Sequence, residues 1–218
     1  MKKLITLLVM AAMAAAFITG CGKTENTEEN KTDTESAGTQ EEADKATSGE
    51  EQQTGTHHVK INIKDYGTIS AELEGDSAPI TVTNFMRLAG EGFYNGLTFH
   101  RIISGFMIQG GDPNGNGTGG SDETIKGEFS NNGVDNPLSH TRGALSMARA
   151  REMDSASSQF FIVHQDSPSL DGDYAVFGYV TEGMEIVDKI CEDIRTEDAN
   201  GTVAAENQPV IESIEVID

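Results

Sequence analysis

Apolar and polar positions alternate from Val59 to Lys64: Val59, Ile61 and Ile63 are separated by Lys60, Asn62 and Lys64. That period of two marks a strand with one face buried. Asp65-Tyr66-Gly67 reads as a turn, and Ile69, Ala71 and Leu73 as the returning strand. Pro79 then opens a helix at the position where a missing N–H does no harm. Val82, Phe85, Met86 and Ala89 follow at helical spacing, and Gly90 and Gly92 end the helix. Beyond it lie short apolar runs separated by glycine and asparagine: 97–103, 106–109, 144–148, 159–163 and 176–180. Asn95-Gly96 is a turn signal before the first of them. A second helix is predicted over Met184, Ile186, Val187, Ile190 and Cys191, and a last strand over 210–217. About eight strands and two helices result. Short strands with glycine-rich turns imply a mainly β sandwich or barrel, and periodicity does not choose between them.

The N-terminal quarter has a different pattern. A short basic start, Met1-Lys2-Lys3, precedes an apolar run from Leu4 to Phe17 that is too short to span a bilayer comfortably. Residues 1–20 are expected to be an export signal. Thr19-Gly20-Cys21 resembles the lipobox of bacterial lipoproteins, which implies cleavage before Cys21 and lipidation of its thiol. Residues 21–55 form an acidic linker. From 22 to 55 there are ten Asp or Glu, three Lys and no Val, Ile, Leu, Met or aromatic residue. Such a segment buries too little apolar surface to offset its ordering entropy, so disorder is expected, with a span of roughly 30–35 Å. Residues 56–218 form the one globular domain. The expected location is extracytoplasmic, on the bacterial cell membrane, held by the lipid on Cys21 alone.

Charge narrows the partners. The chain of 218 residues has a net charge of −21, with only 15 Lys and Arg, and lacks the basic face that nucleic acid requires. Cys191 is the only cysteine besides Cys21, so no disulfide framework is expected, and its apolar setting marks it as a small buried hydrophobe. The histidines show no Ser-His-Asp, Cys-His or metal-ligand grouping, and His100 reads as a hydrogen-bonded strand residue. Two motif matches in one loop are set aside. Residues 115–120 fit G-x-G-x-x-G but no helix follows. Asp112, Asn114, Asn116, Gly117 and Glu123 fit a calcium-loop spacing, but the flanking helices are missing and Pro113 takes the second place. No metal and no cofactor are expected.

The candidate chemistry lies in Phe99-His100-Arg101-Ile102-Ile103-Ser104-Gly105-Phe106-Met107-Ile108-Gln109-Gly110-Gly111. One cation and one amide stand among large apolar residues, with no acid inside the stretch. Such an arginine is either paired with a distant acid or aimed at a ligand. Two other segments, 143–150 and 157–163, the latter followed by Ser169-Leu170-Asp171-Gly172 and Val176-Phe177-Gly178, complete the pattern. The F-H-R-x-I-x-x-F-M-x-Q-G-G-D and S-Q-F-F-I sequences, in this order, resemble the cyclophilin family of peptidyl-prolyl isomerases over about residues 57–218.

The resemblance implies a closed eight-stranded antiparallel β-barrel capped by two α-helices, with a peptide groove on its outside. It implies Arg101 as the catalytic arginine and Gln109 as its hydrogen-bonding glutamine. Phe106, Met107, Phe161 and Leu170 would line the proline pocket. Gln159, Tyr174 and the edge Ala148, Arg149 and Ala150 would complete the substrate site. Phe160, facing away from Phe161, would belong to the core, as would Phe99 and Ile102. The partners implied are unfolded or flexible polypeptides containing proline, and the protein is expected to be a monomer. A proline-peptide-binding module or chaperone with incidental turnover is the alternative. The chain departs from the common pattern at Ser169, where many members carry an aromatic residue, at Arg149 for asparagine and at Tyr174 for histidine. The glycine-rich loop is one residue shorter, and the segment 151–157 about one longer, than in familiar eukaryotic members. Weak cyclosporin sensitivity is the expected consequence of Ser169.

Overall fold

A computed structural model describes residues 51–218. The signal, Cys21 and the linker up to residue 50 lie outside the described residues. The last linker residues join the domain: the Gln53 N–H donates to Thr83 Oγ1 at 2.8 Å and the Gly55 N–H to Asp76 Oδ1 at 2.8 Å.

Strand β1 (Thr56–Ile63) and strand β2 (Gly67–Glu74) form the predicted hairpin, with Val59, Ile61, Ile63, Ile69, Ala71 and Leu73 all buried. Helix α1 (Pro79–Gly90) begins at its proline. Its N-cap, Ala78, offers no side-chain acceptor, and Glu128 supplies one from a distant loop. The Glu128 carboxylate accepts the N–H groups of Ile80 (3.0 Å) and Thr81 (2.7 Å) and the Thr81 hydroxyl (2.6 Å). The donors that a helix start leaves free are thereby satisfied. Strands β3 (Thr98–Ile103), β4 (Met107–Asp112), β5 (Ala144–Met147), β6 (Phe160–Val163) and β7 (Val176–Glu182) follow, then helix α2 (Met184–Asp193) and strand β8 (Ile211–Val216).

The strands form one antiparallel sheet in the order β3-β4-β6-β5-β7-β2-β1-β8, a curled half-barrel. No ladder joins the edge strands β3 and β8 among the described residues. They meet at one end only, through Gly96 N–H to Ile211 O (2.8 Å), Ile211 N–H to Leu97 O (2.8 Å) and a bridge between Thr98 and Val210. The resemblance implies a closed barrel, and the observed pairing is this shorter contact.

The central strands carry apolar residues on both faces. Ile108, Leu145, Phe160, Ile162 and Phe177 point into the main core with Phe85, Tyr94 and Phe99. Their neighbours Met107, Ala144, Phe161, Val163 and Val176 form a second, smaller cluster on the outer face, against which Phe106, Leu170 and Tyr174 pack. Alternation along each strand separates the two clusters. Phe160 is therefore core and Phe161 belongs to the outer cluster, as the sequence implies. Each fully buried large apolar side chain contributes about 1.5–3 kcal/mol. Cys191 is half-buried, and burial pushes its thiol up to about 11.

Candidate active site

Two irregularities aim Arg101. The β3–β4 register shifts between Thr98 and Phe99 and again between Phe99 and Arg101. Phe99 pairs with Gly110 and Arg101 with Gln109, so His100 is an extra residue on β3. Phe99 and Ile102 both face the core, at 0 % and 2 % exposure. Strict alternation cannot place residues three apart on one face, and a bulge can. Arg101 is thereby turned to the outer face beside the second cluster. Opposite it, Gly111 takes φ +80°, and a Cβ there would lie 2.6 Å from the Ser158 carbonyl oxygen. The Gly110-Gly111 pair of the motif is thus a steric requirement of the bulged ladder.

The guanidinium is held from two sides. Arg101 Nε donates to the Asn200 carbonyl (2.8 Å) and Nη1 to Gln109 Oε1 (3.1 Å). Its Cζ stands 5.9 Å from the centroid of the Phe106 ring. Gln109 Nε2 donates to Gln159 Oε1 (2.9 Å), and Gln159 Nε2 to the Gly119 carbonyl (2.7 Å). The chain Arg101–Gln109–Gln159–Gly119 fixes the orientation of both amides, since each gives its N–H to the next acceptor. Nη2 of Arg101 has no acceptor, and no carboxylate forms an ion pair with it among the described residues. Burial lowers the pKa of Arg101, against Tyr174 and Asp198, which favour its charged form. An arginine stays protonated at neutral pH even so.

Beside this cation lies a cavity of about 160 Å³. Arg101, Phe106, Met107 and Gln109 line it from β3, β4 and the turn between them, and Phe161 from β6. Ala148 and Arg149 line it from the segment after β5, and Leu170 and Tyr174 from the segment before β7. Two expected site residues stand outside this lining. Gln159 acts behind Gln109. Ala150 is exposed, with its N–H on Ser155 Oγ (3.0 Å) and its carbonyl taken by Arg149. Ser169 is exposed on the short 3₁₀ turn Pro168–Leu170.

Four features escape the sequence reading. The first is a turn at 198–202, which bridges to β3 at Arg101 and supplies the Asn200 carbonyl. Asp198 builds the turn by accepting from the Asn200 N–H (2.9 Å), the Thr202 N–H (3.2 Å) and the Thr202 hydroxyl (3.0 Å).

The second is an Asp-His-Ser arrangement beneath the cavity. His140 Nδ1 lies 2.8 Å from Asp171 Oδ1 and Nε2 lies 3.0 Å from Ser146 Oγ. The imidazole stacks on Phe161, with ring centroids 5.9 Å apart and planes at 13°. Burial lowers the His140 pKa in spite of Asp171, and the carboxylate selects a proton on Nδ1. Ser146 is fully buried, so this arrangement braces Phe161 and the turn carrying Leu170, and presents no nucleophile.

Third, His164 accepts the Gly105 N–H at Nδ1 (2.8 Å) and meets Asp188 of α2 through Nε2 (3.0 Å), tying down the turn before Phe106. Fourth, His100 is 4 % exposed and neither ring nitrogen has a partner among the described residues. The expected hydrogen bond is absent: the ring lies beneath the glycine-rich loop, where a Cβ on Gly117 would stand 3.7 Å from its Nε2, and burial lowers its pKa toward the neutral form.

The calcium-like spacing has a different use. Asp112 accepts N–H groups from Asn114 (2.8 Å), Asn116 (3.0 Å) and Gly117 (2.5 Å), so its two oxygens close the glycine-rich loop on themselves.

Comparison with known proteins agrees with this geometry. The family model described as cyclophilin type peptidyl-prolyl cis-trans isomerase/CLD matches residues 58–216. Peptidyl-prolyl cis-trans isomerase B of Bacillus subtilis is 54% identical over 123 residues, covering 56% of this chain and 82% of the relative. Peptidyl-prolyl cis-trans isomerase A of Dickeya dadantii is 42% identical over 174 residues, covering 75% and 86%. The crystal structure of a cyclophilin type isomerase from Cryptosporidium parvum superimposes with a TM-score of 0.66 at 31% identity, covering 75% of this chain and 99% of that one. A structure of the same enzyme in the presence of the dipeptide Ala-Pro gives 0.65 at 32% identity, covering 74% and 99%. This chain belongs to the cyclophilin-type peptidyl-prolyl cis-trans isomerase family.

Proposed function

We propose that this cyclophilin-type isomerase accelerates rotation about X–Pro bonds of exported polypeptides, with Arg101 as the catalytic donor. The observation that carries the reading is Arg101 itself. Its Nε and Nη1 are fixed by Asn200 and Gln109, and among the described residues no carboxylate pairs with it and Nη2 has no acceptor, beside an apolar cavity. Rotation must break amide resonance, a barrier of about 18–20 kcal/mol. In the twisted transition state the prolyl nitrogen regains a lone pair, which a guanidinium N–H can meet. The planar ground state offers no such lone pair, so the bond stabilises the transition state selectively. Phe106, Met107, Phe161 and Leu170 hold the pyrrolidine ring and exclude water. Gln109 orients the arginine and the flanking carbonyl. The only steps are binding and rotation, and they require no metal or cofactor.

The test is cis/trans exchange of a short X-Pro peptide, followed by NMR, with the full chain and its Arg101→Ala variant. Loss of a preorganised donor of this kind costs roughly 10²–10³ in rate. Equal rates for the two proteins would sink the mechanism. Saturable peptide binding without acceleration would favour the binding-module reading.

Export and anchoring rest on residues 1–21: the apolar run and the lipobox-like Cys21 support an enzyme tethered outside the cytoplasm. Cys21→Ala should release it from membranes, and retention would count against the anchor. The contact between β3 and β8 supports reading the half-barrel as the family's closed form.

A further inference from the structure

We propose that Arg149 is a specificity residue that favours clients with a carboxylate side chain next to the proline. The inference deepens the isomerase reading and rests on it for the position of the proline.

Arg149 is held more tightly than a surface arginine needs to be. Its Cζ lies 5.1 Å from the centroid of the Phe129 ring and 4.9 Å from that of Tyr174. Nε donates to the Asp173 carbonyl (2.9 Å), and Nη1 to the carbonyls of Ala150 (3.0 Å) and Arg151 (3.2 Å). Three neutral acceptors and two aromatic rings fix the plane of the guanidinium without cancelling its charge. Nη2, with two N–H groups, has no protein acceptor, and no carboxylate forms an ion pair with Arg149 among the described residues. Other unpaired cations exist among the described residues, and what sets Arg149 apart is that its guanidinium is held in place at the wall of the cavity.

The location gives this cation a role. Arg149 lines the same cavity as Arg101, and the apolar floor of Phe106, Met107, Phe161 and Leu170 belongs to that cavity too. A proline seated on that floor puts its neighbouring residue within reach of one wall or the other. Arg101 commits Nη1 to Gln109 and, on the reading above, Nη2 to the prolyl nitrogen. Arg149 has no such commitment. The free Nη2 of a fixed guanidinium can give a charge-assisted hydrogen bond to a carboxylate, and its immobility means little rotamer entropy is lost on binding. The acidic surface opposes this preference at long range, but beyond about 8 Å at physiological salt that field is screened, and a contact at hydrogen-bond distance is not.

The experiment compares blocked peptides that differ only by Glu against Gln, placed before or after the proline, with the full chain and its Arg149→Gln and Arg149→Lys variants. Exchange rate and affinity are both read by NMR. The readout is the Glu-to-Gln ratio within each protein, which is insensitive to a general loss of activity or folded fraction. The wild type should favour Glu at one of the two positions by roughly three- to ten-fold in kcat/KM and in affinity, as for a charge-assisted bond at a half-exposed site. The ratio should fall to about one in Arg149→Gln, lie between in Arg149→Lys, and shrink with added salt. A wild-type ratio of one at both positions, or an unchanged ratio in Arg149→Gln, overturns the proposal. No acceleration of any peptide by the wild type would instead refute the isomerase reading, and the affinity ratio would still decide the role of Arg149.

Discussion

Gln159→Leu tests the hydrogen-bond chain that orients Arg101 without touching Arg101 or the cavity wall. The substitution keeps side-chain volume nearly constant and removes one acceptor and one donor. Gln109 Nε2 loses its partner at 2.9 Å, and the Gly119 carbonyl loses one at 2.7 Å. Gly119 lies on a half-exposed loop, so water replaces the second bond at little cost. The first is different. With Gln159 gone, nothing selects the amide orientation that presents Gln109 Oε1 to the guanidinium, except the guanidinium itself. A neutral hydrogen bond contributes about 0.5–1.5 kcal/mol net, and the charge-assisted Arg101–Gln109 bond about 1.5–3 kcal/mol. The second interaction survives, so Arg101 becomes less ordered but is not lost. The expected fall in kcat/KM is therefore about three- to ten-fold, well short of the loss for Arg101→Ala. It should appear in kcat with KM nearly constant, because Gln159 does not line the cavity. NMR exchange at several peptide concentrations separates the two. Combining the change with Gln109→Leu should add little, since both act through one chain. A fall below two-fold, full additivity of the pair, or an effect confined to KM would refute the idea that this chain positions the arginine.

Two further outcomes follow from groups that hold loops in place. Asp198→Ala removes the acceptor that organises the 198–202 turn, and so loosens the Asn200 carbonyl on Arg101 Nε. A two- to five-fold loss of kcat is expected, roughly, with most of it restored in Asp198→Asn, whose amide oxygen rebuilds the turn; equal losses for Ala and Asn would contradict a positioning role. For Asp112, burial would raise the carboxyl, but the N–H groups of Asn114, Asn116 and Gly117 together hold it below the usual carboxylate range. A depressed folded-state pKa contributes stability that is complete above the unfolded value, about 3.9, and is lost as pH falls through the folded value. Asp112→Asn should therefore cost about 1–3 kcal/mol at pH 7, and denaturant titrations should show the gap to wild type narrowing below about pH 4. A gap that stays constant from pH 7 to pH 3 would show that the charge is not what closes the loop.

How far the sequence reveals this site depends on what each residue contributes. Strand β1 is readable because one of its faces is wet, and alternation at Val59, Ile61 and Ile63 reports that directly. The central strands are apolar on both faces, so their runs look continuous, and only the rule that neighbours oppose each other separates Phe160 from Phe161. The cavity-lining side chains Arg101, Phe106 and Gln109 stand in one legible stretch. The Asn200 carbonyl does not, because every residue has a carbonyl and this one acts across ninety-nine positions. The Asp171–His140–Ser146 brace is hidden for a similar reason: no local pattern links positions 140, 146 and 171, and only the fold brings the three side chains together. The most instructive case is the stretch 99–103 itself. Strict alternation puts Phe99 and Arg101 on one face and Ile102 on the other, which would send the cation into the core or an aromatic ring into water. The motif nevertheless requires Phe99 and Ile102 inside with Arg101 outside. The bulge at His100 resolves the conflict, and Gly110-Gly111 on the facing strand permits it. A failure of the period-two rule within a motif this apolar is thus itself a signal. It marks the place where the sheet gives up a ladder bond, and leaves a buried imidazole unpartnered, to turn one arginine outward.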